Sequence, residues 1–281
     1  MKILLTGKTG QVGWELARLL PALGELRATD RNEIDLSEPD SIRRAVRETK
    51  PDLIVNAAAY TAVDKAESEA ALAMRINGEA PGVLAEEAMR LGSLLVHYST
   101  DYVFDGEKPG TYVETDQPNP VSVYGSSKLA GERAIAASGC RHLIFRTCWV
   151  YGPRGRNFLL TILKAARERP ELKVVDDQFG APTSSAAIAQ ATKLAIATGR
   201  GQGIYHLSAA GRTNWHGFAQ AIVEGAGLKT PVRPIPSSDY PAAARRPRNS
   251  VLDNSKLKKE FGIALPDWRA GLREVMAQVL L

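Results

Sequence analysis

The sequence predicts an α/β fold, a doubly wound parallel sheet of the Rossmann type with a smaller, interleaved α/β lobe. Three observations predict it. Short apolar runs alternate with amphipathic helical stretches through the first half of the chain. The runs are apolar at consecutive residues rather than at every second one, as strands covered on both faces require. The first run leads straight into a glycine loop that opens a helix, and helices on both faces of a parallel sheet satisfy all three features together.

In chain order, Ile3 to Leu5 is a strand and Val12 to Leu20 a helix, then Glu25 to Thr29 a strand and Ser41 to Thr49 a helix. Leu53 to Ala58 is the third strand, followed by a helical stretch from Ala66 to Arg90. Leu94 to Tyr98 and His142 to Thr147 continue the series, with a helix from Ser126 to Ser138 between them. After Thr147 the regularity breaks at Tyr151-Gly152-Pro153-Arg154-Gly155, and a helix around Phe158 to Arg169 precedes a strand at Leu172 to Val175. Ile204 to Leu207 reads as a late strand and Trp215 to Gly225 as a helix. The Pro- and Arg-rich segment from Pro231 to Asn249 reads as irregular, and a closing helix runs from Asp267 or Trp268 to the end. The expected division is residues 1–150 plus about 171–210 for the dinucleotide-binding part, and about 151–170 plus 211–281 for the second lobe.

Composition narrows the function. A chain of 281 residues with 44% hydrophobic and 24% charged residues is an ordinary globular chain large enough to bury a core. The net charge of +5 is spread among acidic residues, so an anionic small molecule fits better than a nucleic acid. Cys140 and Cys148 cannot make a disulfide framework and read as small buried groups. No apolar run approaches a membrane span, and the N-terminus is too short on apolar residues for a signal peptide; the expected location is the cytoplasm.

Gly7-Lys8-Thr9-Gly10-Gln11-Val12-Gly13 follows the first strand. Glycines at this spacing allow a tight turn, let backbone N–H groups approach a pyrophosphate, and let the helix pack closely on the strand. Asp30, ending the second strand, would accept hydrogen bonds from an adenosine ribose, whereas Arg31 would welcome a 2′-phosphate, which leaves NADH and NADPH both open. Asp35-Leu36 either hold the adenine or begin the next helix, since Ser37, Pro39 and Asp40 look like capping. The small residues of Ala57-Ala58-Ala59-Tyr60-Thr61 suit either close approach to a cofactor or plain packing.

Tyr124 and Lys128 stand one helical turn apart and share a face. A phenol with an ordinary pKa of about 10 is a poor acid at neutral pH, and a neighbouring ammonium is expected to lower it. Tyr124 would then protonate an alkoxide as a hydride arrives. Thr100, in Tyr98-Ser99-Thr100-Asp101 at a strand's carboxyl end, lies where such sheets bind ligands and can hold a carbonyl oxygen. Trp149 reads as a sugar platform or as core. Arg245, Arg246 and Arg248 could grip a diphosphate or lie in solvent.

The glycine loop with Thr100, Tyr124 and Lys128 resembles the extended short-chain dehydrogenase/reductase family. The likeness extends through VNAAAYTAVDKAE from Val55, HYSTDYVFDG from His97, VYGSSKLAGE from Val123, FRTCWVYG from Phe145, DQFGAPT from Asp177 and ARRPRNS from Ala244. It implies an oxidoreductase, a monomer or homodimer, that uses NADPH or NADH to reduce dTDP-4-dehydro-L-rhamnose at C4. It implies a dinucleotide surrounded by Gly7, Gly10, Gln11, Val12, Asp30, Asp35, Leu36, Ala59, Tyr60, Thr61, Tyr98, Tyr124 and Lys128. Thr100, Asp101, Tyr124 and Trp149 would surround the sugar, and Arg245 and Arg246 fall in the substrate lobe. Some members share magnesium between subunits through glutamates; Glu15 is present here, but Ser184-Ser185-Ala186-Ala187-Ile188 offers no second one, so no metal is expected. A dehydratase would carry a glutamate after Thr100-Asp101, where Tyr102 stands. Another nucleotide-sugar reductase, an epimerase and a non-catalytic regulatory subunit of the same fold also stay open.

Overall fold

The computed structural model describes residues 1–280; Leu281, at the end of the expected closing helix, lies outside the described residues. The chain runs β1 (Lys2–Thr6), α1 (Gln11–Leu19), β2 (Glu25–Thr29), α2 (Pro39–Thr49), β3 (Leu53–Asn56), α3 (Val63–Ala66), α4 (Ala70–Met74), α5 (Ala80–Leu91) and β4 (Leu94–Thr100). It continues through α6 (Val123–Ala137), β5 (Arg141–Thr147), β6 (Val150–Tyr151), α7 (Phe158–Glu168), β7 (Leu172–Val175), β8 (Phe179–Gly180), β9 (Thr183–Ser184) and α8 (Ser185–Ala197). Then come β10 (Gly203–His206), β11 (Thr213–Asn214), α9 (Trp215–Gly225), β12 (Val232–Ile235), α10 (Ser255–Phe261) and α11 (Trp268–Val279).

Six strands make one sheet in the order β10-β5-β4-β3-β1-β2, and every neighbouring pair is parallel. The consecutive apolar residues explain why. In β1, Ile3 and Leu5 face a core shared with Val55, Val96, Phe145 and Leu16, whereas Leu4 faces Ile54, Leu95, Ile144 and Val46 on the other side. A strand with both faces covered favours apolar residues at consecutive positions. The chain leaves β1 for β2 on one side and reaches β3 on the other, so the order reverses between β1 and β3. Ligands of such sheets bind in the crevice outside the carboxyl ends at that reversal.

Sequence and structure differ in two places. The expected helix from Ala66 to Arg90 is broken into α4, a wide π turn at Arg75–Glu79, and α5. Pro81 supplies the reason, because proline cannot donate to the carbonyl four residues back and its ring crowds that carbonyl. The segment read as irregular from Pro231 contains β12, which pairs with β7 in parallel; prolines are tolerated at the edge of a two-stranded ribbon. That pairing brings Leu172 and Val174 into one core with Phe218, Ile222 and Trp268. Leu257, Phe261, Ile263 and Leu265 pack under the large sheet. No helix among the described residues is long and apolar enough to cross a membrane.

A buried histidine makes the fold acid-sensitive. His206 is fully buried, with Nδ1 bonded to the Tyr112 carbonyl at 3.1 Å, and burial followed by the nearby Arg146 charge pushes it down to about 3. The unfolded chain therefore binds a proton that the folded one refuses as pH falls from 6.5 toward 3. Stability is present in full above 6.5 and is lost on acidification, with a slope of about 1.4 kcal/mol per pH unit for one proton. His206→Asn, which keeps a donor at the Nδ1 position, is expected to flatten that slope in urea titrations between pH 6.5 and 4.

Candidate active site

The glycine loop has the geometry its sequence requires. Gly7 adopts φ +77°, and a Cβ on Gly13 would lie 2.0 Å from the Gly7 carbonyl oxygen, so only glycine lets α1 pack this close to the loop. Gly10 begins α1 without a side-chain cap, leaving first-turn N–H groups available at the crevice. These features fit a pyrophosphate. The loop opens onto a cleft of about 680 Å³, a normal size for a small-molecule site.

Gly7, Gly10, Gln11, Val12, Asp30, Asp35, Leu36, Ala59, Tyr60, Thr61, Tyr98, Tyr124 and Lys128 all line this cleft. Several also have structural work there. Asp35 accepts from the Ser37 N–H at 2.9 Å and its hydroxyl at 2.7 Å, which closes the turn into α2 and holds the carboxyl below its ordinary range. Its helix-entry role and its place in the cleft thus coexist. Asp30 lies 3.5 Å from Lys8 Nζ, which also meets Glu33. The acidic residue that would repel a 2′-phosphate is partly offset by this lysine of the glycine loop, and Arg31 lines the cleft beside it.

Tyr124 sits in the first turn of α6, whose N-terminus is capped by Ser122 Oγ accepting from the Gly125 N–H at 3.2 Å. A Cβ on Gly125 would lie 2.2 Å from the Tyr102 carbonyl oxygen, so this glycine brings α6 against the end of β4. The Tyr102 and Tyr124 rings meet edge to face at 5.8 Å. One turn on, Lys128 is buried and donates to the Tyr98 carbonyl at 2.6 Å. The expected lowering of the phenol by this ammonium is not found. Burial pushes Tyr124 up to about 12, with only Thr100 acting against it, and burial pulls Lys128 down to about 8. Desolvation outweighs the ion, which leaves the phenol protonated at neutral pH.

Thr100, Asp101, Trp149, Arg245 and Arg246 lie outside the cleft lining. Thr100 Oγ1 donates to Asp101 Oδ1 at 2.9 Å, and Asp101 Oδ2 is buried without a partner. Burial raises the Asp101 carboxyl to about 7. Trp149 is neither plain core nor a free platform: it holds a left-handed φ of +49° and stacks on Trp215 at 3.5 Å and 7°. Arg246 forks onto Asp64 at 2.7 and 3.1 Å and is half-buried, whereas Arg245 is exposed and meets Glu107 at 3.5 Å. Arg248 is exposed.

Sequence reasoning missed four contributors. Asn77, in the π turn, accepts from the Tyr60 N–H at 2.8 Å and donates to the Tyr60 carbonyl at 2.9 Å, fixing the loop after β3. Asn56 ends the apolar run of β3 and His97 directly follows the apolar run Leu94 to Val96 of β4, and that contrast is the signal by which they could have been found. Trp215 carried no signal, since an aromatic opening a helix is ordinary core.

The whole chain, residues 1–281, matches the RmlD substrate binding domain family. It is similar to the dTDP-4-dehydrorhamnose reductase of Burkholderia thailandensis, 55% identical over 96% of each chain. Among solved structures it is similar to a dTDP-4-dehydrorhamnose reductase of Clostridium acetobutylicum, with TM-score 0.96 and 37% identity over 100% of both chains. It is also similar to the Bacillus anthracis enzyme in complex with NADP, with TM-score 0.95 and 35% identity over 99% of each. With the cleft, the glycine loop and the Tyr124–Lys128 turn in place, this full-length likeness establishes that the chain belongs to the dTDP-4-dehydrorhamnose reductase family of extended short-chain dehydrogenases/reductases.

Proposed function

We propose that the chain reduces dTDP-4-dehydro-L-rhamnose to dTDP-L-rhamnose, the last step in making that sugar nucleotide, with Tyr124 as proton donor. The observation that carries this reading is a phenol, pushed up by burial to about 12, and a buried lysine one turn apart on the wall of the cleft onto which the glycine loop opens. NADPH or NADH, when bound, supplies the hydride. The α1 N-terminus and glycine loop would hold the pyrophosphate, and the loop that Asn77 clamps at Tyr60 would line the same dinucleotide. Lys8 beside Asp30, with Arg31 on the cleft wall, makes room for a 2′-phosphate without requiring one.

Tyr124 then gives its phenolic proton to the C4 oxygen as that carbon is reduced, and Lys128 holds the nicotinamide ribose. Thr100 places its hydroxyl at the same oxygen. Burial raises Asp101 to about 7, which brings its protonated form within reach at neutral pH. In that form it can donate to Thr100, which frees the threonine hydrogen for substrate. The Trp149–Trp215 stack forms a wall for the sugar, and Arg246 is better placed than Arg245 for the diphosphate because it is half-buried. In this reading the dinucleotide part is residues 1–150 with α8, β10 and residues 255–265, and the sugar lobe is built on α7, β7, α9, β12 and α11.

The test is direct. Purified protein mixed with the keto-sugar nucleotide is expected to consume NADPH and NADH absorbance one-for-one with dTDP-L-rhamnose. Turnover without net consumption of reduced cofactor would assign an epimerase or dehydratase instead.

A further inference from the structure

At the order reversal of the sheet, three polar residues stand side by side. Thr6 on β1, Asn56 on β3 and His97 on β4 are register partners in adjacent parallel strands, and all are buried. The matching rung two residues earlier, Leu4, Ile54 and Leu95, is apolar. Burying three polar side chains among aliphatic ones is costly unless they bond to each other, and these do. Asn56 Oδ1 accepts from Thr6 Oγ1 at 2.6 Å on one side, and Asn56 Nδ2 lies 3.1 Å from His97 Nδ1 on the other. His97 Nε2 then lies 3.2 Å from Lys128 Nζ on α6.

We propose that His97 is a positioning residue for Lys128, its neutral imidazole accepting at Nε2 so that the lysine's remaining N–H is aimed into the cofactor cleft. An ammonium has three donors in fixed tetrahedral directions. One goes to the Tyr98 carbonyl at 2.6 Å and one to His97, which leaves the third for the cleft that Lys128 lines. A cationic lysine donating to Nε2 requires the His97 proton on Nδ1. The Asn56 oxygen must then turn toward that proton, with the amide nitrogen toward Thr6; a half-turn of the amide achieves this by exchanging its oxygen and nitrogen positions. Burial and the Lys128 charge both keep His97 neutral, consistent with an acceptor at Nε2.

The inference rests on the reading that Lys128 holds the nicotinamide ribose, and its test separates the two. Binding of NADPH and of 2′,5′-ADP, which lacks the nicotinamide ribose, is measured by titration calorimetry. His97→Leu is expected to weaken NADPH about tenfold and leave 2′,5′-ADP unchanged, since a hydrogen bond to a charged group is removed at one end of the ligand only. His97→Gln, whose carbonyl reaches about as far as Nε2, is expected to restore most of the NADPH affinity. Unchanged NADPH binding in His97→Leu, equal loss of both ligands, or equal defects in the Leu and Gln variants would overturn the proposal. If Lys128→Met also binds NADPH normally, the reading of Lys128 itself fails; if it binds weakly while His97→Leu does not, only the His97 inference fails. Should the leucine variant not fold, the ring-nitrogen NMR shifts of His97 in the unaltered protein decide: a proton on Nδ1 supports the proposal and a proton on Nε2 overturns it.

Discussion

Tyr124→Phe is expected to lower kcat by about 10²- to 10⁴-fold, the usual range for removing a general acid, while NADPH affinity changes little. The phenol oxygen is the only heavy atom lost, and the ring keeps its edge contact with Tyr102. Because burial raises this phenol to about 12, wild-type activity is expected to show no ionisation of Tyr124 below about pH 9. Stopped-flow absorbance with saturating keto-sugar nucleotide measures both. A phenylalanine variant within about threefold of wild type would move the proton-donor role elsewhere, with Asp101 the nearest candidate.

Glu132→Leu is expected to be the most destabilising single substitution in α6. Glu132 on α6 accepts from Arg146 Nε at 2.9 Å and Nη2 at 2.7 Å, and both side chains are almost fully buried. Arg146 lies over the Phe104 ring at 5.1 Å, and its Nη1 has no partner. Removing the carboxylate leaves a guanidinium uncompensated in the core, which costs about 3–5 kcal/mol. A fall in Tm on the order of 10 °C by calorimetry follows for a chain of this size. The pair also ties α6 to β5 and so fixes the helix that carries Tyr124 and Lys128. The double change Glu132→Leu with Arg146→Met is expected to recover much of the loss, since no buried charge remains.

Why some of this was legible in sequence and some was not follows from the kind of signal each residue carries. The sheet was readable because unbroken apolar runs have one stable solution, and the glycine loop because its spacing is dictated by backbone approach at Gly7 and Gly13. Tyr124 and Lys128 declared a shared face through their spacing alone. Their electrostatics did not, because the balance between a neighbouring ion and desolvation depends on burial, which four residues of sequence do not encode. The π turn at Arg75–Glu79 was hidden inside a good helical pattern, and with it Asn77. The Thr6-Asn56-His97 rung is a property of strand register, visible only once three strands from different parts of the chain are set side by side. The partition of Arg245 and Arg246 between solvent and a half-buried contact with Asp64 likewise depends on α3 lying opposite the late segment.

Whether the Tyr124 oxygen meets the reacting sugar oxygen at the cleft is decided by a crystal structure of the protein with NADP and dTDP-L-rhamnose. Tyr124 Oη is expected within about 2.6–3.2 Å of the sugar O4, with Lys128 Nζ on the nicotinamide ribose. A complex in which O4 is held by Asp101 or by solvent, with Tyr124 turned away from it, would remove Tyr124 as the proton donor.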